Sequence, residues 1–156
     1  MAWESEGLHP AAVSTMATDA STESAFEQAI RRYQEGAEPT DLIPEFEAII
    51  AAAPRLAAGW TCLAWLQLLD DQPLAALRSA RTAVKLNPQD PQSRVNLSVA
   101  MLETGAKGVR EHIDMVLRVT AVAPELGEEL QESIADGLRR RPGWTSLEKV
   151  SAWLKG

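Results

Sequence analysis

The chain repeats itself every 34 residues, and this period limits its possible folds more than any other feature. Phe26 and Trp60 stand 34 apart, as do Pro54 and Pro88, while Ala37, Asp71 and Gly105 step by 34 twice, as do Ala29, Leu63 and Leu97. A period of roughly 20 to 50 residues is the signature of supersecondary units that stack because none can bury its apolar face alone. From about Glu23 onward apolar residues recur at three and four, and no stretch alternates over strand length between turn signals. Every segment is therefore predicted helical, with no sheet. Each unit reads as a first helix, a turn at the Ala37, Asp71 or Gly105 position, a second helix and a closing proline.

The punctuation divides the chain. Residues 1–22 are rich in Ala, Ser and Thr without a sustained period and read as a mobile leader. Three units follow at about 23–56, 57–90 and 91–124, then a C-terminal capping region at 125–156. Asp71 is expected to cap the helix entered by Pro73, Asp90 the one entered by Pro91, and Pro124 to open the next. Leu126, Leu130, Ile134 and Leu138 give the first capping helix an apolar face. Leu147, Val150, Trp153 and Leu154 give one to a short final helix after Pro142-Gly143, for eight helices in all. The final helix is expected to pack on its predecessor as a cap; the alternative is that it lies in the groove beside Trp65 and Val99.

The middle unit carries Trp60, Leu63, Ala64, Ala76, Ala83 and Pro88 at the offsets that make the chain resemble the tetratricopeptide repeat family. The first unit supplies Phe26, Ala29, Tyr33, Phe46 and Pro54, with Leu42 where a small residue is usual. The third keeps Leu97, Ser98, Met101 and Gly105, with Arg94 in the aromatic position and two extra residues after its turn. The resemblance implies antiparallel helix-turn-helix units stacked in a right-handed superhelix, whose first helices line a concave groove that holds a peptide. By that geometry the groove presents Ser24, Glu27, Arg31, Gln34 and Glu35 in the first unit, and Ala58, Thr61, Trp65, Leu68 and Leu69 in the second. The third contributes Gln92, Val95, Asn96, Val99, Leu102 and Glu103. The candidate partner-binding residues are Arg31, Gln34, Thr61, Trp65, Leu68, Gln92, Val95, Asn96, Val99 and Leu102. Such a groove is polar at one end and apolar in the middle. The apolar part serves either as a contact surface for a partner helix or as the seat of the capping helices. The cationic clamp with which some family members grip chaperone C-termini is not matched, since Thr61, Cys62, Trp65 and Gln92 occupy its positions beside Asn96.

Chemistry-bearing motifs are scarce. The two histidines, His9 and His112, have no metal-ligand spacing, and no phosphate loop or nucleophile elbow is present, so no cofactor, metal or catalytic residue is assigned. Cys62 reads as a small core hydrophobe. Arg139, Arg140 and Arg141 read either as cations at a helix C-terminus or as a clamp for an acidic partner. The net charge of −7 argues against nucleic acid and anionic membranes as partners, and no apolar run reaches a membrane-spanning length. A single cysteine and an acidic N-terminus without an export signal suggest the cytoplasm. The expectation is a monomeric, non-catalytic scaffold for an unidentified protein or peptide. Two alternatives remain: an assembly factor for a multi-subunit complex, similar to small tetratricopeptide proteins of photosynthetic bacteria, and a hydrolase or transferase using Cys62 or His112.

Overall fold

In a computed structural model, which describes residues 20–156, the described residues are all-α, 82% of them helical, and form eight consecutive packed helices. They are α1 (Ala20–Gln34), α2 (Pro39–Ala52), α3 (Ala57–Leu69), α4 (Pro73–Leu86), α5 (Pro91–Thr104), α6 (Val109–Val122), α7 (Pro124–Arg140) and α8 (Thr145–Lys155). Connections of one to four residues force each helix against the next. First helices also meet across the stack, α3 against α5. Most of the segment expected to be a leader lies outside the described residues. Its last three residues form the first turn of α1, where Thr22 is buried.

Proline starts four of the helices, Pro39, Pro73, Pro91 and Pro124, because the first turn has no partner for the missing N–H. Asp90 caps α5 as expected, accepting from the Gln92 amide at 3.3 Å. Asp71 does not cap α4. The residue before Pro73 is Gln72, whose side chain makes no cap, and Asp71 instead takes a left-handed conformation (φ 56°) that ends α3. The Gln72 amide donates back to the Gln67 carbonyl and the Asp71 amide to Leu68, the paired bonds that close a helix through a left-handed residue. Gly36 plays the same part after α1, so the turn residue of the first unit is Gly36 rather than Ala37.

The core is one continuous cluster. It runs from Phe26, Phe46 and Leu42 in the first unit through Leu63, Leu66 and Ala76 in the second to Leu97, Val116 and Ile134. Phe26 and Phe46 meet edge-on at 5.7 Å, which joins α1 to α2. Ala76, Ala80 and Ala83 are fully buried, so α4 lies close to its neighbours where a larger residue would hold it off.

A groove closed by the chain's own C-terminus

The C-terminal region closes over part of the face that carries the candidate groove residues, at Trp65 and Leu68. At 17 residues α7 is about 25 Å long, enough to cross two packed helices. Its last two turns reach both α3 and α1. Gly137 lies so close to Trp65 that a Cβ added there would stand 2.6 Å from the indole, and only glycine fits. On the other side of Trp65, Trp144 packs its ring at 5.5 Å, and both tryptophans are almost wholly inaccessible to solvent.

Polar groups fix this closure. The Trp65 indole N–H donates to the Tyr33 hydroxyl at 2.9 Å, and that hydroxyl donates to Asp136 on α7 at 2.6 Å. Burial and the Asp136 carboxylate push the Tyr33 phenol far up, so it remains protonated and keeps its role as donor. Arg140 grips Asp136 with its Nε, lies 3.7 Å over the Tyr33 ring and donates to the Tyr33 carbonyl at 2.9 Å. Arg141 donates to the Leu68 carbonyl at 2.7 Å and sits 4.8 Å over Trp144, whose own N–H donates to Glu103 at 2.6 Å. Tyr33 and Leu68 are in the last turns of α1 and α3, where carbonyls lack intrahelical partners and the dipole is negative. Both arginines therefore cap the C-termini of other helices. They stand at the C-terminal end of their own helix, as the sequence suggested, and their guanidinium groups are engaged within the chain.

Of the ten candidate groove residues, Thr61, Trp65, Leu68, Gln92, Val95, Asn96 and Val99 are buried, and Leu102 is partly so. Seven of the ten are thus withdrawn from solvent, in keeping with the alternative expected for the apolar stretch, in which the capping region covers it: Trp65 packs against Gly137 of α7 and against Trp144. The polar members tie α3 to α5. Gln92 donates to Asn96 at 2.8 Å, Asn96 donates to the Thr61 carbonyl at 3.0 Å, and Thr61 and Ser93 share a hydrogen bond of 2.8 Å. The final helix packs on α7 and also contacts α5 and α6. Leu147 and Val150 are buried, but Trp153 faces outward at 45% exposure and is not part of the docked stripe.

Among the described residues the first-unit end stays open. Arg31 and Gln34 are exposed, as are Ser24, Glu27 and Glu35. Gln34 borders an open cavity of about 410 Å³ together with Glu132, Ala135, Asp136, Arg139 and Arg140. Arg139 has 70% of its side chain in solvent, with Asp136 at 3.5 Å. Sequence reasoning placed Arg139 at a helix end but did not bring it beside Gln34.

The two candidate reactive groups are separately accounted for. Cys62 is buried, and burial followed by the charge of Asp90 pushes its thiol up, away from the thiolate that nucleophilic chemistry requires. His112 accepts a hydrogen bond from Arg94 at Nδ1 (2.8 Å), and burial with the Arg94 charge lowers its pKa. Among the described residues no three His, Cys, Asp or Glu side chains gather as a metal site would need, and no helix is long and apolar enough to cross a membrane. In comparisons with known proteins, no family model and no curated protein matches the chain.

Proposed function

We propose that the protein is a non-catalytic interaction scaffold of the tetratricopeptide type, and that it takes a polar segment of a partner polypeptide at the first-unit end of its concave side. The observation that carries this reading is the contrast along the groove. Its apolar stretch is buried, while Gln34 and Arg139 remain exposed around an open cavity and Arg31 is exposed one turn earlier on α1. Both charge signs border the opening, with Glu132 and Asp136 beside Arg139 and Arg140, which suits a hydrophilic segment carrying charges of both signs. Chemistry at Cys62 is disfavoured by a buried, protonated thiol.

The test is site-specific photocrosslinking in the native lysate. A photoreactive residue at Gln34 should capture a discrete partner, the same residue at Lys149 on α8 should not, and Arg139→Glu should abolish the Gln34 product. Equal capture from both positions, or capture indifferent to Arg139, would remove the basis for the reading.

A further inference from the structure

A second surface shares no residue with the closed seam or with the opening beside Gln34. Between the second helices of the middle and third units, α4 and α6, runs a furrow of about 530 Å³ floored by α5. Its floor is apolar, formed by Val84, Leu97 and Met101. Arg81 and Lys85 rise on one side from α4, a helix with three cations and no acidic residue, and Lys107 rises from the α5–α6 turn on the other. All three are exposed, and they make no hydrogen bond or ion pair with the described residues. The one carboxylate on the rim, Glu111, lies 3.7 Å from Nε2 of His112. His112 is itself held by Arg94 through Nδ1, so a further guanidinium stands behind the furrow wall.

In a chain of net charge −7, three cations around an apolar floor face one another with a single carboxylate, Glu111, among the described residues that line the furrow. We propose that this furrow docks an acidic, amphipathic segment of a partner polypeptide, with carboxylates on Arg81, Lys85 and Lys107 and an apolar side chain on Val84 and Met101. The apolar floor selects a peptide over a bare phosphate, which could not cover it. The overall negative charge opposes the long-range approach of nucleic acid or an anionic bilayer, whereas a short acidic segment interacts within a Debye length of the cations. The proposal stands whether or not a partner enters the concave side.

Fluorescence anisotropy of a short fluorescein-labelled peptide of Glu, Leu and Ala, titrated with the full chain, tests it. Saturable binding should weaken about tenfold in the exposed double variant Arg81→Glu/Lys85→Glu and when salt is raised well above physiological strength. It should be unchanged in Arg118→Glu, a charge reversal of the same sign outside the furrow. Unaltered thermal unfolding of the variants shows that the fold is kept. As a local readout, the peptide should raise the pKa of His112 in NMR titrations, because a bound carboxylate offsets the guanidiniums beside the ring. Equal weakening by Arg118→Glu would overturn the proposal, as would equal binding of a peptide with Leu replaced by Ser. Competition by inorganic phosphate, by an oligonucleotide or by phosphatidylserine vesicles at affinities matching the peptide would assign the furrow to another class of ligand and overturn it too.

Discussion

Two regions of the helical stack, the inward positions along α3 and α5 and those along α1, meet opposite fates. Along α3 and α5 the inward positions are Trp65, Leu68, Val95 and Val99, and the chain's last two helices cover them. Along α1 the corresponding positions are Glu27, Arg31 and Gln34, and they stay in water. What decides is the free energy of covering each: burying a Leu or Val side chain gains roughly 1.5–3 kcal/mol, whereas burying a charged or amide group without partners costs energy. A helical repeat thus keeps open the part of its groove that is too polar to close.

The contrast is tested most severely by truncation after Pro142, which removes Trp144, Leu147 and Val150. Leu147 and Val150 alone account for roughly 3–6 kcal/mol of a total stability that is about 5–15 kcal/mol for a typical domain. Cooperative unfolding, followed by circular dichroism, should be lost or its midpoint sharply lowered; a truncated chain as stable as the whole would make α8 an ornament. Next in size is Trp65→Ala, expected to cost about 3–5 kcal/mol in denaturant unfolding, because the indole packs against Trp144 and Gly137 and donates to Tyr33. Gly137→Ala sharpens the point with one methyl group. A Cβ 2.6 Å from a buried ring must displace α7, for about 1–3 kcal/mol or more, although alanine is the better helix former.

A smaller effect should come from His112, away from the seam. Its folded-state pKa lies below the ordinary 6.5, so its stabilising contribution is complete above 6.5 and is lost as pH falls through the depressed value. Stability measured against pH should decline on this limb in the wild type and decline less in His112→Gln. At the open end the expectation is nearly nil: Arg31→Ala and Gln34→Ala should stay within about 0.5 kcal/mol of wild type. A large loss there would mean that the first-unit wall is covered after all.

The helical layout was legible because it depends on local signals. Pro39, Pro73, Pro91 and Pro124 each stand at a helix start, and the buried face of α7 follows from Leu130 and Ile134. Single-residue turn geometry was less so, since an aspartate at 71 fills a left-handed position more often given to glycine, and the 34-residue step falls on Ala37 instead of Gly36. The closure was not legible as an outcome. It depends on Gly137 facing Trp65 and on Asp136 and Arg140 meeting Tyr33, pairs 72, 103 and 107 residues apart. Such pairs leave no periodic trace, and three consecutive arginines look the same in sequence whether they face solvent or cap distant helices. The open cavity escaped for the same reason, since Gln34 and Arg139 are brought together only by that docking.

The account rests on α7 and α8 sealing the apolar groove within a single chain, and tryptophan fluorescence tests this most directly. Replacing Trp3, Trp60 and Trp153 with Phe leaves only Trp65 and Trp144, the pair at 5.5 Å in the seam. Their emission should be blue-shifted, resistant to acrylamide quenching and unchanged on dilution. Red-shifted emission that acrylamide quenches freely, or protection that disappears as the protein is diluted, would contradict a groove closed by its own C-terminus.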